Sequence, residues 1–300
     1  MSKTILLAGG TGFIGHRLQA MLQEKGYTVR VLTRRPNGAN QYAWDPESGR
    51  LDEAALTGVY AVINLAGAGI ADGRWTASRK KTLLDSRINS AAVLREAIRK
   101  SDTRPAVYIS ASAIGFYGNS GERLMLENDQ PVTGGFLAET CRTWEEAADT
   151  VAQLGIRTVK FRIGVVLGKE GGALKEIAKP LYFCLGAYFG NGKAWYSWIH
   201  RDDMCRAFIF ALENESLAGV YNAVAPQPER IKALVKTAAR AMRRPAIFLP
   251  VPAFALRLLF GEMADTILFS NRVSAQKLLE AGFSFQFPDL ASALRAIFQR

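Results

Sequence analysis

The sequence predicts an α/β protein: a doubly wound parallel sheet with a smaller C-terminal lobe. Apolar strands alternate with amphipathic helices over the first 165 or so residues. A glycine-rich turn joins the first strand to the first helix, and no internal repeat or low-complexity block interrupts the pattern. Strand–helix–strand succession implies parallel pairing through right-handed crossovers.

Each element has its own signature. Thr4 to Ala8 is a short apolar run ending in glycines, which reads as a buried strand. Ile14, Leu18, Met21 and Leu22 then fall on one helical face, and Gly26 ends that helix. Tyr27 to Thr33 is a second strand and Tyr60 to Ala66 a third. Leu84, Ile88, Ala91 and Ala92 place a long helix over about 77–100. A strand over Ala106 to Ser110 follows, then a helix carrying Trp144, Ala147, Ala148 and Val151 on one side, then a strand over Ile156 to Ile163. Beyond this point the rhythm loosens. Segments 168–198 and 226–300 are rich in Gly, Pro and aromatic residues and suggest a lobe built from separated pieces. The expected division is 1–225 for a nucleotide-binding domain, with 168–198 on its substrate side, and 226–300 for the smaller lobe.

The 300 residues are 49% hydrophobic and 22% charged, which excludes wholesale disorder. The net charge of +11 favours anionic partners. No nucleic-acid recognition motif accompanies it, so specific nucleic-acid binding is not expected. Three dispersed cysteines give no disulfide framework, and two histidines make a histidine-based metal site unpromising. The first residues lack a signal peptide's apolar region, and the apolar stretch 246–260 contains Pro250, Pro252 and Arg257. A cytoplasmic protein that does not span a membrane is the expectation.

The strongest motif is Gly9-Gly10-Thr11-Gly12-Phe13-Ile14-Gly15. Following a strand and opening a helix, it has the context of a dinucleotide-binding turn. One glycine permits the tight turn, one lets backbone N–H groups approach a pyrophosphate, and one lets helix and strand pack closely. The helix N-terminus then faces the anion. The second strand ends in Thr33-Arg34-Arg35, where an NAD site carries an acid. A guanidinium grips a 2′-phosphate that a carboxylate repels, so NADP is the predicted cofactor, with Arg34 first and Arg35 second in contact.

The turn, the run Val62-Ile63-Asn64-Leu65-Ala66-Gly67 and the stretch Ser110-Ala111-Ser112-Ala113-Ile114-Gly115-Phe116-Tyr117-Gly118 together resemble the short-chain dehydrogenase/reductase superfamily, in its extended epimerase/dehydratase branch. Trp198-Ile199-His200-Arg201-Asp202-Asp203 is similar to that branch's histidine–aspartate turn. Gly73-Arg74-Trp75, Asp85-Ser86-Arg87 and residues 249–297 are similar to an atypical epimerase-family group with its own C-terminal domain. The resemblance implies a Rossmann fold. It adds Asn64, Ala66 and Gly67 to the cofactor site and implies hydride chemistry on a small substrate.

That chemistry ordinarily uses Tyr-x-x-x-Lys, whose spacing stacks the two groups on one helical face so that the lysine lowers the phenol's pKa. No tyrosine of this chain has Lys four residues on, and the corresponding helix reads Gly135-Phe136-Leu137-Ala138-Glu139-Thr140-Cys141-Arg142. The remaining candidates are Ser112, to orient a substrate, and Tyr117, as a displaced proton relay. Ser110, Arg162 and His200 are candidate substrate contacts. Arg87 falls near the position of the branch's helical Asn. The aromatic stretch 187–198 is a candidate pocket wall, and Arg79-Lys80-Lys81 reads as a solvated helix face. The expected activity is an NADP-dependent oxidoreductase or nucleotide-sugar-epimerase-like reaction; the alternative is a catalytically weak or inactive NADP-binding regulator, and a nucleic-acid-binding protein is the less favoured rival.

Overall fold

The computed structural model describes residues 2–299. Its centre is an eight-stranded sheet. We number the strands of this sheet in chain order as β1 (Thr4–Ala8), β2 (Thr28–Thr33), β3 (Gln41–Asp45), β4 (Arg50–Leu51), β5 (Val59–Asn64), β6 (Val107–Ala113), β7 (Arg157–Ile163) and β8 (Gly219–Ala223). Their spatial order is β8-β7-β6-β5-β1-β2-β3-β4, and every pairing is parallel except β3 with β4. The main helices are α1 (Phe13–Glu24), α2 (Ala77–Lys100), α3 (Phe136–Ala152), α4 (Gly172–Leu181), α5 (Arg201–Glu213) and α6 (Ile231–Ala241).

Side chains alternate across a strand, so each apolar run feeds two cores. Ile5 and Leu7 of β1 pack with Leu18 and Leu22 of α1 and with Phe208 of α5. Leu6 and Ala8 face the opposite way, into a core that includes Leu94 and Ile98 of α2 and Ala148 and Val151 of α3. Burial on both faces explains why these strands read as continuous apolar runs.

The sequence missed β3, β4 and β8. β3 is a half-polar strand near the sheet edge, β4 is two residues long, and β8 lies where the strand–helix rhythm has already loosened. A second core draws on dispersed pieces: Leu174 of α4, Trp198, Leu234 of α6, and Leu294 of the helix Leu290–Phe298. Beside it a two-stranded parallel ribbon pairs Leu185–Phe189 with Ile247–Val251.

β1 has β2 on one side and β5 on the other, so the chain's connections diverge there. This switch point opens a crevice at the strand C-termini, the usual ligand position in such sheets. Among the described residues, no helix is long and apolar enough to cross a membrane.

Candidate active site

The glycine turn sits in this crevice. Gly9 has φ +78°, and a Cβ there would lie 2.8 Å from the Leu65 backbone. A Cβ on Gly15 would lie 2.2 Å from the Gly9 carbonyl oxygen, so helix and strand approach too closely for any side chain. Gly12 caps α1 without a side-chain hydrogen bond, and the first turn of α1 carries no acid. Unsatisfied N–H groups and the positive end of the helix dipole therefore converge there without competition. This donor set fits a pyrophosphate. Phe13 closes one side: it lies against Gly168, Gly171 and Gly172, with the Arg201 guanidinium 5.2 Å from its ring centre.

A cavity of about 580 Å³ runs from the turn, past Leu65 and Gly67–Ile70, to the end of β6 and the inner face of α3. Gly9, Gly12, Phe13, Ile14, Gly15 and Gly67 line it directly. Gly10 packs against Val31, and Thr11 is exposed. Asn64 acts from behind. Its amide donates to Ser90 Oγ and Tyr108 Oη, and its carbonyl accepts from the Ala66 N–H, which fixes the turn after β5.

Ser112 lines the cavity and donates to Glu145 Oε1 at 2.8 Å. Glu145 also accepts both prongs of Arg162, at 2.8 and 3.0 Å. Four candidate residues, Arg162, Tyr117, His200 and Ser110, lie off the cavity lining and have protein partners. Arg162 is 4% exposed, spans Glu145, Tyr117 Oη and the Glu127 carbonyl, and lies 3.4 Å from the Phe116 ring centre. Tyr117 is fully buried outside the cavity lining, and its phenol donates to Asn222 Oδ1 at 2.7 Å. Burial, opposed by Arg162, pushes its pKa up to about 12. His200 caps α5: its Nδ1 accepts from the Asp202 N–H, and its ring packs on Phe287. Ser110 donates to the Ala111 carbonyl and is likewise absent from the cavity wall.

α3 presents Leu137, Thr140, Cys141 and Trp144 to the cavity. Leu137 and Cys141 are one helical turn apart, so an apolar side chain and a thiol share the wall. Burial pushes the Cys141 thiol up to about 12. Thr140 bonds back to the Phe136 carbonyl. From the aromatic stretch, Trp195 and Tyr196 reach the cavity, whereas Tyr188 and Trp198 fill the second core. Arg79-Lys80-Lys81 is only partly a solvated face. Arg79 bonds to the Gly69 carbonyl and Lys80 pairs with Glu262, whereas Lys81 is the solvated member.

Arg34 and Arg35 extend, exposed, from the end of β2. Arg34 borders a hollow shared with Trp44, Asp45 and Asp52. The Arg35 N–H bonds to Thr33 Oγ1. Sequence reasoning overlooked Glu145. Its signal was spacing: Ala138, Cys141, Glu145 and Ala148 share one helical stripe, so a carboxylate sits on a buried face.

Sheet order, switch point and glycine turn define a Rossmann-type α/β protein. The chain belongs to the NAD dependent epimerase/dehydratase family, whose sequence model matches residues 5–223, and residues 251–297 match a domain of unknown function, DUF1731. The epimerase family protein of Mycobacterium leprae is 38% identical over 292 residues, covering 97% of this chain and 94% of its own. A chloroplastic epimerase family protein of Arabidopsis thaliana is 38% identical over 305 residues, covering 99% and 87%. The crystal structure of human epimerase family protein SDR39U1 with NADPH has a TM-score of 0.89 and 31% identity, covering 99% of each chain.

Proposed function

We propose that this protein binds NADP(H) and uses it as an oxidoreductase or epimerase-like enzyme on a small substrate held in the cavity. The carrying observation is the uncapped, acid-free N-terminus of α1 at the sheet's switch point, opening onto the cavity that Ser112 lines. Gly9 to Gly15 would hold the pyrophosphate, Ala66 and Gly67 would border the nicotinamide half, and Thr33, Arg34 and Arg35 would take the adenosine 2′-phosphate. The human relative crystallised with NADPH supports the same choice. A bound nicotinamide supplies hydride exchange. Ser112 already donates its proton to Glu145, so its lone pairs are available to accept from a substrate hydroxyl.

Titration of wild type and Arg34→Ala with NADPH and NADH tests this reading. Loss of a charge-assisted contact costs about 1.5–3 kcal/mol, and only for NADPH. Equal wild-type affinities for the two cofactors would reject the assignment. A second reading, an NADP-binding regulator without turnover, draws on Leu137 and Cys141 at the cavity wall and on the sealed Tyr117. Cofactor binding without oxidation of NADPH by any member of a broad carbonyl panel would favour it.

A further inference from the structure

Arg87 stands apart from the other buried charges. It is 6% exposed, projects from the middle of α2 and lines the cavity. The other buried basic side chains in the sheet region have acids: Arg162 pairs with Glu145, and Lys160 with Asp149. Arg87 has none within ion-pair distance among the described residues. Its hydrogen bonds run to two neutral backbone carbonyls, Leu83 at 2.7 Å and Ala68 at 3.3 Å. These orient the guanidinium without neutralising it. A buried charge ordinarily carries a counter-charge, because desolvation without one costs several kcal/mol.

The surroundings raise the demand. Burial pushes the Arg87 guanidinium below its ordinary pKa; Cys141 opposes this and the positive charge of Arg79 adds to it. Its guanidinium lies 4.8 Å from the centre of the Trp144 ring, a cation–π contact that does not neutralise the charge. A Cβ on Gly67 would sit 3.3 Å from the Arg87 guanidinium carbon, so the loop after β5 is also fixed against it. A buried cation without a counter-charge on the wall of a cavity is the complement of an anionic ligand.

We propose that Arg87 is the anchor of a substrate subsite for an anionic group, a carboxylate or a phosphate, within the cavity that Ser112 lines. This rests on the proposed oxidoreductase reading and deepens it: the substrate class is a small organic acid or phosphate ester. Arg87 thereby supplies charge to a wall where α3 offers none.

The Trp144 indole N–H resonance, assigned with Trp144→Phe, reports on this place. Protein saturated with NADP⁺ is titrated with acetate, malonate and inorganic phosphate at constant ionic strength, with chloride as the control. Saturable shifts beyond chloride are expected. A response to the carboxylates, to phosphate or to both identifies the source. At saturating NADP⁺, Arg87→Gln should weaken the responding anion at least tenfold, and Arg87→Lys should retain part of the binding. Responses no larger than chloride, or equal saturation in a folded Arg87→Gln, would overturn the subsite. The wild-type titration decides the question even if Arg87→Gln does not fold. Failure of NADP⁺ to bind is seen separately, in the first titration, and counts against the cofactor reading; the anion series is then read on the cofactor-free protein.

Discussion

Replacing Arg162 with Met tests whether this residue holds the fold or handles a ligand. The guanidinium has only 5% side-chain exposure and its Glu145 partner 8%. The substitution removes two charged hydrogen bonds to Glu145, one to Tyr117 Oη and one to the Glu127 carbonyl. It leaves Glu145 buried with only the Ser112 hydroxyl. Removing one member of a buried pair costs about 3–5 kcal/mol, chiefly because the other charge is stranded. At about 2–4 °C per kcal/mol for large domains, Arg162→Met should melt roughly 6–20 °C lower. The double variant Arg162→Met/Glu145→Leu removes the stranded charge as well and should recover a substantial part of the loss. Urea unfolding of the wild type, both single variants and the double variant closes the cycle, and NADP⁺ affinity in Arg162→Met should stay within twofold. A single-variant loss below about 1 kcal/mol, the worth of an exposed pair, would refute the structural role. So would a double variant no more stable than Arg162→Met.

Three further outcomes follow from the same geometry. Gly15→Ala places a methyl 2.2 Å from the Gly9 carbonyl oxygen, so isothermal titration should show NADP⁺ affinity reduced at least tenfold. Of the three thiols, only exposed Cys184 should react rapidly with a thiol reagent at pH 8; burial pushes Cys141 and Cys205 up to about 12, so both should react far more slowly in the folded protein. Tyr117→Phe strands Asn222 and one Arg162 donor, which should lower stability by about 1–3 kcal/mol in urea titration. Turnover by that variant should stay within twofold on any substrate found, and a hundredfold loss would restore the phenol as proton relay.

The sequence by itself determined the parts whose physics is local. The glycine turn was legible because Gly15 meets the Gly9 carbonyl oxygen within the motif itself, where any side chain clashes. The strands β1, β2, β5, β6 and β7 were legible because burial in the sheet makes them rich in apolar residues, as in Ile5-Leu6-Leu7-Ala8 and Val62-Ile63. The missing Tyr–Lys pair was visible as spacing alone. Tertiary structure decided the rest, because a polar side chain's role depends on its partner, and here the partners are distant in sequence. Arg162 and Tyr117 carry no sign in the sequence of their partners, Glu145, 17 positions from Arg162, and Asn222, 105 positions from Tyr117. His200 spent its imidazole on capping α5. Arg87 went the other way. On the helix it is one basic residue among several, and only the fold shows it buried beside Trp144, lining a cavity, with no acid to answer its charge.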